Sequence, residues 1–134
     1  MTNREAGERL VREAQRIFRR DLQAAWAEGD YNLVVRRAQE VVELSLKGAL
    51  RILGVDFPKV HDVGSVFVEQ MRRKGGMVSE EVLSEIERIS AWLSEARAPA
   101  FYLERAYGEP DARRALSEAE FTLVEVKKAI GMEG

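Results

Sequence analysis

The feature that most restricts the fold of this chain is a helical hydrophobic period that runs, with few interruptions, from about residue 3 to about residue 130. Strand-type alternation is scarce. The three prolines (Pro58, Pro99 and Pro110) and most of the glycines stand where one periodic stretch gives way to the next. Such a chain must bury several amphipathic helices against one another, and short connections favour antiparallel neighbours.

Five helices are expected. The first spans roughly residues 3–28, with Leu10, Ala14, Ile17, Phe18 and Ala25 at helical spacing and Arg9, Arg12, Arg16 and Arg19 along another side. Gly29 fits the position just past its end, and Asp30 fits the N-cap of the next helix. The second spans roughly residues 31–53, where Val34, Ala38, Val41, Val42, Ala49, Ile52 and Leu53 make a wide apolar face interrupted by Ser45. Pro58 forbids its continuation. A short third helix begins near Asp62, carries Val63, Val66, Phe67 and Met71, and stops at Gly75-Gly76. The fourth starts after Ser79, with Glu80 and Glu81 complementing the helix dipole and Val78 and Leu83 in staple positions. It runs to Ala98, where Pro99 interrupts or kinks it. The fifth starts near Pro110, a favourable first-turn residue, and turns Ala119, Leu123, Val126 and Ile130 inward. The expected fold is all-α, an up-and-down four-helix bundle with one additional short helix, forming a single domain over residues 1–134. Trp26, Leu44, Leu46 and Trp92 lie off the main stripes and point to a second buried surface, hence to dimerisation.

Composition removes several classes of function. Cysteine is absent, which excludes disulfides, thiolate metal sites and cysteine nucleophiles. One histidine and no Glu-x-x-His spacing argue against zinc and di-iron centres, so no metal and no cofactor is expected. There is no phosphate loop with its lysine, no Gly-x-Gly-x-x-Gly and no nucleophile elbow. No apolar run spans a membrane, and the N-terminus, charged from Arg4, lacks the apolar stretch of a signal peptide; a cytoplasmic protein without membrane contact is expected. Net charge is −2, yet 16 of the 21 basic residues are arginine, the side chain best suited to bidentate binding of phosphate and carboxylate.

Three constellations remain. Gln39, Glu43 and Lys47 stand four residues apart on the second helix and share a face; they form either a solvated ion-pair stripe or the polar wall of a groove. His61-Asp62, in the stretch FPKVHDVGSVF, contains the lone histidine, and it reads as helix-capping architecture or as a ligand contact. Tyr102, Arg105 and Tyr107, in FYLERAYG, would stack a base and hold a phosphate, or pack a helix end.

The order and spacing of these three marks resemble the HEPN domain family over about residues 5–131: a helix with Ala38-Gln39, Glu43 and Lys47, a His-Asp pair opening the next helix, and a tyrosine–arginine–tyrosine stretch before the last helix. The resemblance implies a compact helical bundle that commonly dimerises and binds nucleotide or RNA. It also implies a minimal nucleotidyltransferase as partner protein, in some pairs as a toxin–antitoxin system. The candidate ligand-binding residues are then Gln39, Glu43, Lys47, His61, Tyr102, Arg105 and Tyr107. Nuclease branches of the family carry an arginine followed, after four to six residues, by a histidine near the last helix. Here Gly54, Val55 and Asp56 occupy the positions that would precede His61, and no histidine follows Arg105. The sequence therefore resembles the non-catalytic branch, and no catalytic residue is assigned. The alternatives are an interaction subunit that restrains another protein without a ligand, and a divergent metal-independent ribonuclease using His61 with an arginine from a second copy.

Overall fold

A computed structural model describes residues 1–74 and 78–132. The helices are α1 (Asn3–Arg16), a π-helical segment (Ile17–Leu22), α2 (Gln23–Glu28), α3 (Tyr31–Ile52), α4 (Gly64–Arg73), α5 (Glu80–Phe101) and α6 (Glu109–Ile130). The chain is all-helical among the described residues. Four long helical rods, the first being α1 to α2, carry the short α4 as the fifth element. The expected stop of α4 at Gly75-Gly76 lies outside the described residues.

α3 is the hub, with α1, α5 and α6 all packed on it. Its composition explains why: Val34, Val35, Ala38, Val41, Val42, Leu46, Ala49 and Leu50 are all buried, a stripe too wide for one neighbour. Ser45 interrupts that stripe without leaving an unpaired hydroxyl, because its Oγ donates to the Val41 carbonyl at 2.7 Å. α1 approaches closest where Gly7 faces Gly48. A Cβ on Gly7 would stand 2.5 Å from the Gly48 carbonyl oxygen, and one on Gly48 would stand 2.7 Å from the Gly7 carbonyl oxygen. The buried side of α1 is accordingly Gly7, Val11 and Ala14, with Leu10 only half-buried.

The first rod is continuous over the expected range, but its buried residues step by five from Ile17 to Leu22. A straight α-helix would rotate that step away from α3. The π-helical segment inserts the extra residue and keeps both side chains inward. Gly29 then closes the rod in the left-handed conformation at φ 70°, and the Asp30 side chain caps α3 by accepting from the Leu33 N–H.

Two expectations change. α5 runs through Pro99 to Phe101 rather than ending at Ala98. In the last turn a proline removes only the bond to the carbonyl four residues back, that of Glu95, which is an exposed residue. The four off-stripe apolar residues do not form a free face. Leu46 is in the core, and Trp26, Leu44 and Trp92 are half-buried against it within the same chain. The exposed large apolar side chains are instead Met1, Val60, Phe101, Tyr102, Leu103 and Val124.

A candidate ligand cleft built on Glu43

The centre of the site is the Glu43 carboxylate on α3. Its Oε1 accepts from Gln39 Nε2 at 2.8 Å and lies 2.8 Å from His61 Nδ1; its Oε2 accepts from Lys47 Nζ at 2.7 Å. The spacing of four places Gln39 and Lys47 above and below Glu43 on one helix face. His61 arrives from the loop before α4. That loop is held by Phe57, over whose ring lie the Lys47 ammonium (5.3 Å) and the Arg51 guanidinium (5.5 Å). It is also held by Asp62, whose Oδ1 accepts from the Gly64 N–H at 3.1 Å and from Ser90 Oγ at 2.7 Å. The helix therefore opens two residues later than the His-Asp pair: Val63 is its cap residue, with no side-chain bond of its own, and Asp62 holds the first helical N–H from one position earlier.

Burial pushes the Glu43 carboxyl up, but the hydrogen bonds from Gln39, Lys47 and His61 outweigh it and hold the group below its ordinary range. An ionised carboxylate is an acceptor only, so His61 donates to it through Nδ1–H.

Gln39 carries the network to α5. It is almost fully buried, and its Oε1 accepts from Arg97 at 2.6 Å. Arg97 also lies 3.6 Å from Glu40, which Arg37 holds at 2.9 Å. His61 and Arg97 together border two adjoining clefts. One, of about 310 Å³, is completed by Ser94, Ala98, Phe101 and Tyr102; the other, of about 320 Å³, by Ile17, Glu40, Glu43 and Leu44. Phe101 and Tyr102 meet edge to face at 4.9 Å on the rim, and Tyr102 is 69% exposed.

Of the seven residues singled out in the sequence, Gln39, Glu43, Lys47 and His61 form one network, and Tyr102 borders the same cleft. Arg105 and Tyr107 are elsewhere. They line a separate cleft of about 290 Å³ with Trp92, Pro99, Asp111 and Arg114. The split follows helix geometry: residues 92, 96 and 99 of α5 share one face, while residues 94, 97, 98 and 101 share the next. Leu103, in the left-handed region at φ 57°, then turns the chain back. Asn32 of α3 fixes this turn, donating to the Ala100 and Arg105 carbonyls (3.2 and 2.8 Å) and accepting from the Tyr107 N–H (2.8 Å). The Arg105 guanidinium lies 4.6 Å over the buried Tyr107 ring, the packing alternative of the sequence reading. Arg97 and Phe101 belong to the site but carry no sequence signal of their own, since nothing on α5 distinguishes them from its other half-exposed residues.

Among the described residues no group of three or more His, Cys, Asp or Glu side chains is placed to hold a metal ion, and no helix is long and apolar enough to cross a membrane. The fold and site define a helical-bundle module with a polar, aromatic-rimmed cleft. The profile of the HEPN domain family matches residues 7–129, and the chain belongs to that family. No curated protein and no solved structure matches it.

Proposed function

We propose that the Glu43 cleft takes a nucleotide. The observation that carries this reading is that Arg97 and His61, from different elements, are brought to one cleft through a shared anchor and stand beside exposed aromatic side chains. The guanidinium supplies a planar donor for phosphate, and the exposed Tyr102 ring offers a face on which a base stacks, beside Phe101, whose own ring carries the Arg36 guanidinium at 4.7 Å. Gln39, Glu43 and Lys47 act beneath the cleft by setting the positions of Arg97 and His61. Family membership supports the wider reading: a homodimeric HEPN module in the cytoplasm, acting with a minimal nucleotidyltransferase in a toxin–antitoxin pair. Arg105 and Tyr107 serve the neighbouring turn in this reading.

A thermal-shift series with ATP, GTP, CTP and UTP at millimolar concentration tests the ligand. A bound nucleotide at a hundredfold excess over its Kd stabilises the fold by about 2.7 kcal/mol, a shift of several degrees. No shift with any of the four contradicts the proposal. Co-purification with a nucleotidyltransferase encoded beside the gene tests the partner; recovery of the homodimer alone contradicts that part.

One observation favours a second reading, metal-independent RNA cleavage. His61 and an arginine border the same cleft within one chain, so no arginine from a second copy is required. His61 would then take the proton of the 2′-hydroxyl as that oxygen bonds to phosphorus, and return it to the 5′-oxygen as the P–O5′ bond breaks, while Arg97 balances phosphoryl charge. A His61→Ala variant that degrades RNA as fast as the parent ends this reading.

A further inference from the structure

The two clefts that meet at His61 and Arg97 differ in charge. Among the described residues no carboxylate borders the first, which is closed by Ser94, Ala98, Phe101 and Tyr102. Two carboxylates, Glu40 and Glu43, border the second. Both are half-buried and held in place. Arg37 donates to the two Glu40 oxygens at 2.9 and 3.1 Å, and Glu43 is fixed by Gln39, Lys47 and His61.

Arg97 stands where the clefts join. Its hydrogen bond to Gln39 and its closest approach to Glu40 both go through Nη1. A guanidinium carries five N–H donors in a planar fork, so one phosphate can still take two of them side by side. Further cationic supply is short. Arg37 and Lys47 are matched by Glu40 and Glu43, charge against charge. Arg97 and, over the Phe101 ring on the rim, Arg36 remain. Two positive charges suit one terminal phosphate, which carries about −1.5 to −2 at pH 7. A base stacked on Tyr102 occupies the first cleft and delivers its phosphate to Arg97 at the junction. The tail of a di- or triphosphate continues past that junction, towards the Glu40 and Glu43 carboxylates, where like charges repel.

We infer that the Glu43 cleft selects nucleoside monophosphates over the triphosphates, with Glu40 as the residue that sets the limit. The inference rests on the nucleotide reading of the same cleft and adds to it the phosphate number.

Calorimetric titration of the full chain with the mono- and triphosphates of the four nucleosides, free of divalent cations, tests it. For the nucleoside that binds, the triphosphate should have a Kd about tenfold or more above that of the monophosphate, the scale of one like-charge approach at a few Å. Glu40→Gln keeps the shape and removes the charge; it should bring the two Kd values to within about threefold, chiefly by tightening the triphosphate. Glu40→Asp should keep the preference. A merely structural role for Glu40 would move both Kd values together. Circular dichroism and Tm check that the variants are folded. A second measurement needs no variant: magnesium ion bound to the triphosphate tail cancels its extra charge, so millimolar magnesium should narrow the gap in the parent and leave the monophosphate Kd in place. A triphosphate that binds the parent as tightly as the monophosphate, or a gap that neither Glu40→Gln nor magnesium narrows, overturns the inference and leaves the nucleotide reading standing. Binding of no member of the series overturns both.

Discussion

Glu43 and His61 are 18 residues apart and meet through a 2.8 Å contact between Oε1 and Nδ1, which ties the loop before α4 to the hub helix. The same oxygen accepts from Gln39, whose own carbonyl oxygen holds Arg97 of α5. One carboxylate therefore sets the positions of two side chains that border the cleft from different parts of the fold. It also stands at a point where burial and hydrogen bonding oppose each other, and the hydrogen bonds win.

Glu43→Gln keeps the shape and removes the charge. Lys47 and His61 then lose a charged acceptor, and the fold should be destabilised by about 1.5–3 kcal/mol, read from urea melts. The variant should also weaken nucleotide binding without touching the ligand, because His61 and Arg97 lose their common anchor. Unchanged stability would show that water replaces the carboxylate freely.

The same group makes a pH prediction. Its folded-state pKa is depressed below the unfolded value of about 4.3, so the unfolded chain takes up the proton first. The stabilisation from Glu43 is present above that pH and is lost as pH falls through the folded value. The Tm difference between the parent and Glu43→Gln should therefore be larger at pH 5 than at pH 3. A difference that grows between pH 5 and pH 3 contradicts the sign.

Asn32 makes three hydrogen bonds to backbone groups of Ala100, Arg105 and Tyr107. Asn32→Ala leaves these groups without their partner and should cost about 1–3 kcal/mol. Limited proteolysis should become faster within residues 101–108, because that turn contains the left-handed Leu103 and depends on Asn32 to hold it. Equal cleavage rates would mean that packing of Tyr107 alone fixes the turn.

Gly48→Ala tests the contact between α1 and α3. The new Cβ would stand 2.6 Å from Val11 Cγ2 and 2.7 Å from the Gly7 carbonyl oxygen, and backbone cannot move aside as a flexible side chain can. Destabilisation of about 1–3 kcal/mol is expected, despite the higher helix propensity of alanine. A gain in Tm would show that α1 shifts outward at little cost.

The helices were legible in the sequence because amphipathic periodicity and the stops at Gly29 and Pro58 agree with one another. The π-helical segment was visible only as a five-residue step between buried side chains, which is recognisable once burial is known. Gln39, Glu43 and Lys47 were legible as one face because that contact is local. Their junction with His61 and Arg97 depends on how α4 and α5 pack on α3, and no local rule carries that information. Tyr102, Arg105 and Tyr107 looked like one cluster because they are close in sequence. A left-handed turn at Leu103, a residue that does not advertise such a conformation, sends them to different sides of α5.

The lone histidine offers the most direct measurement. With one imidazole in the chain, its ring-proton NMR signals need no assignment, and His61 borders both halves of the cleft. Titration with ATP or GTP should move these signals saturably, and an Arg97→Gln variant should require substantially more nucleotide for the same displacement. Signals that stay in place at millimolar nucleotide, while the parent chain remains folded, would contradict the assignment of the Glu43 cleft as the nucleotide site.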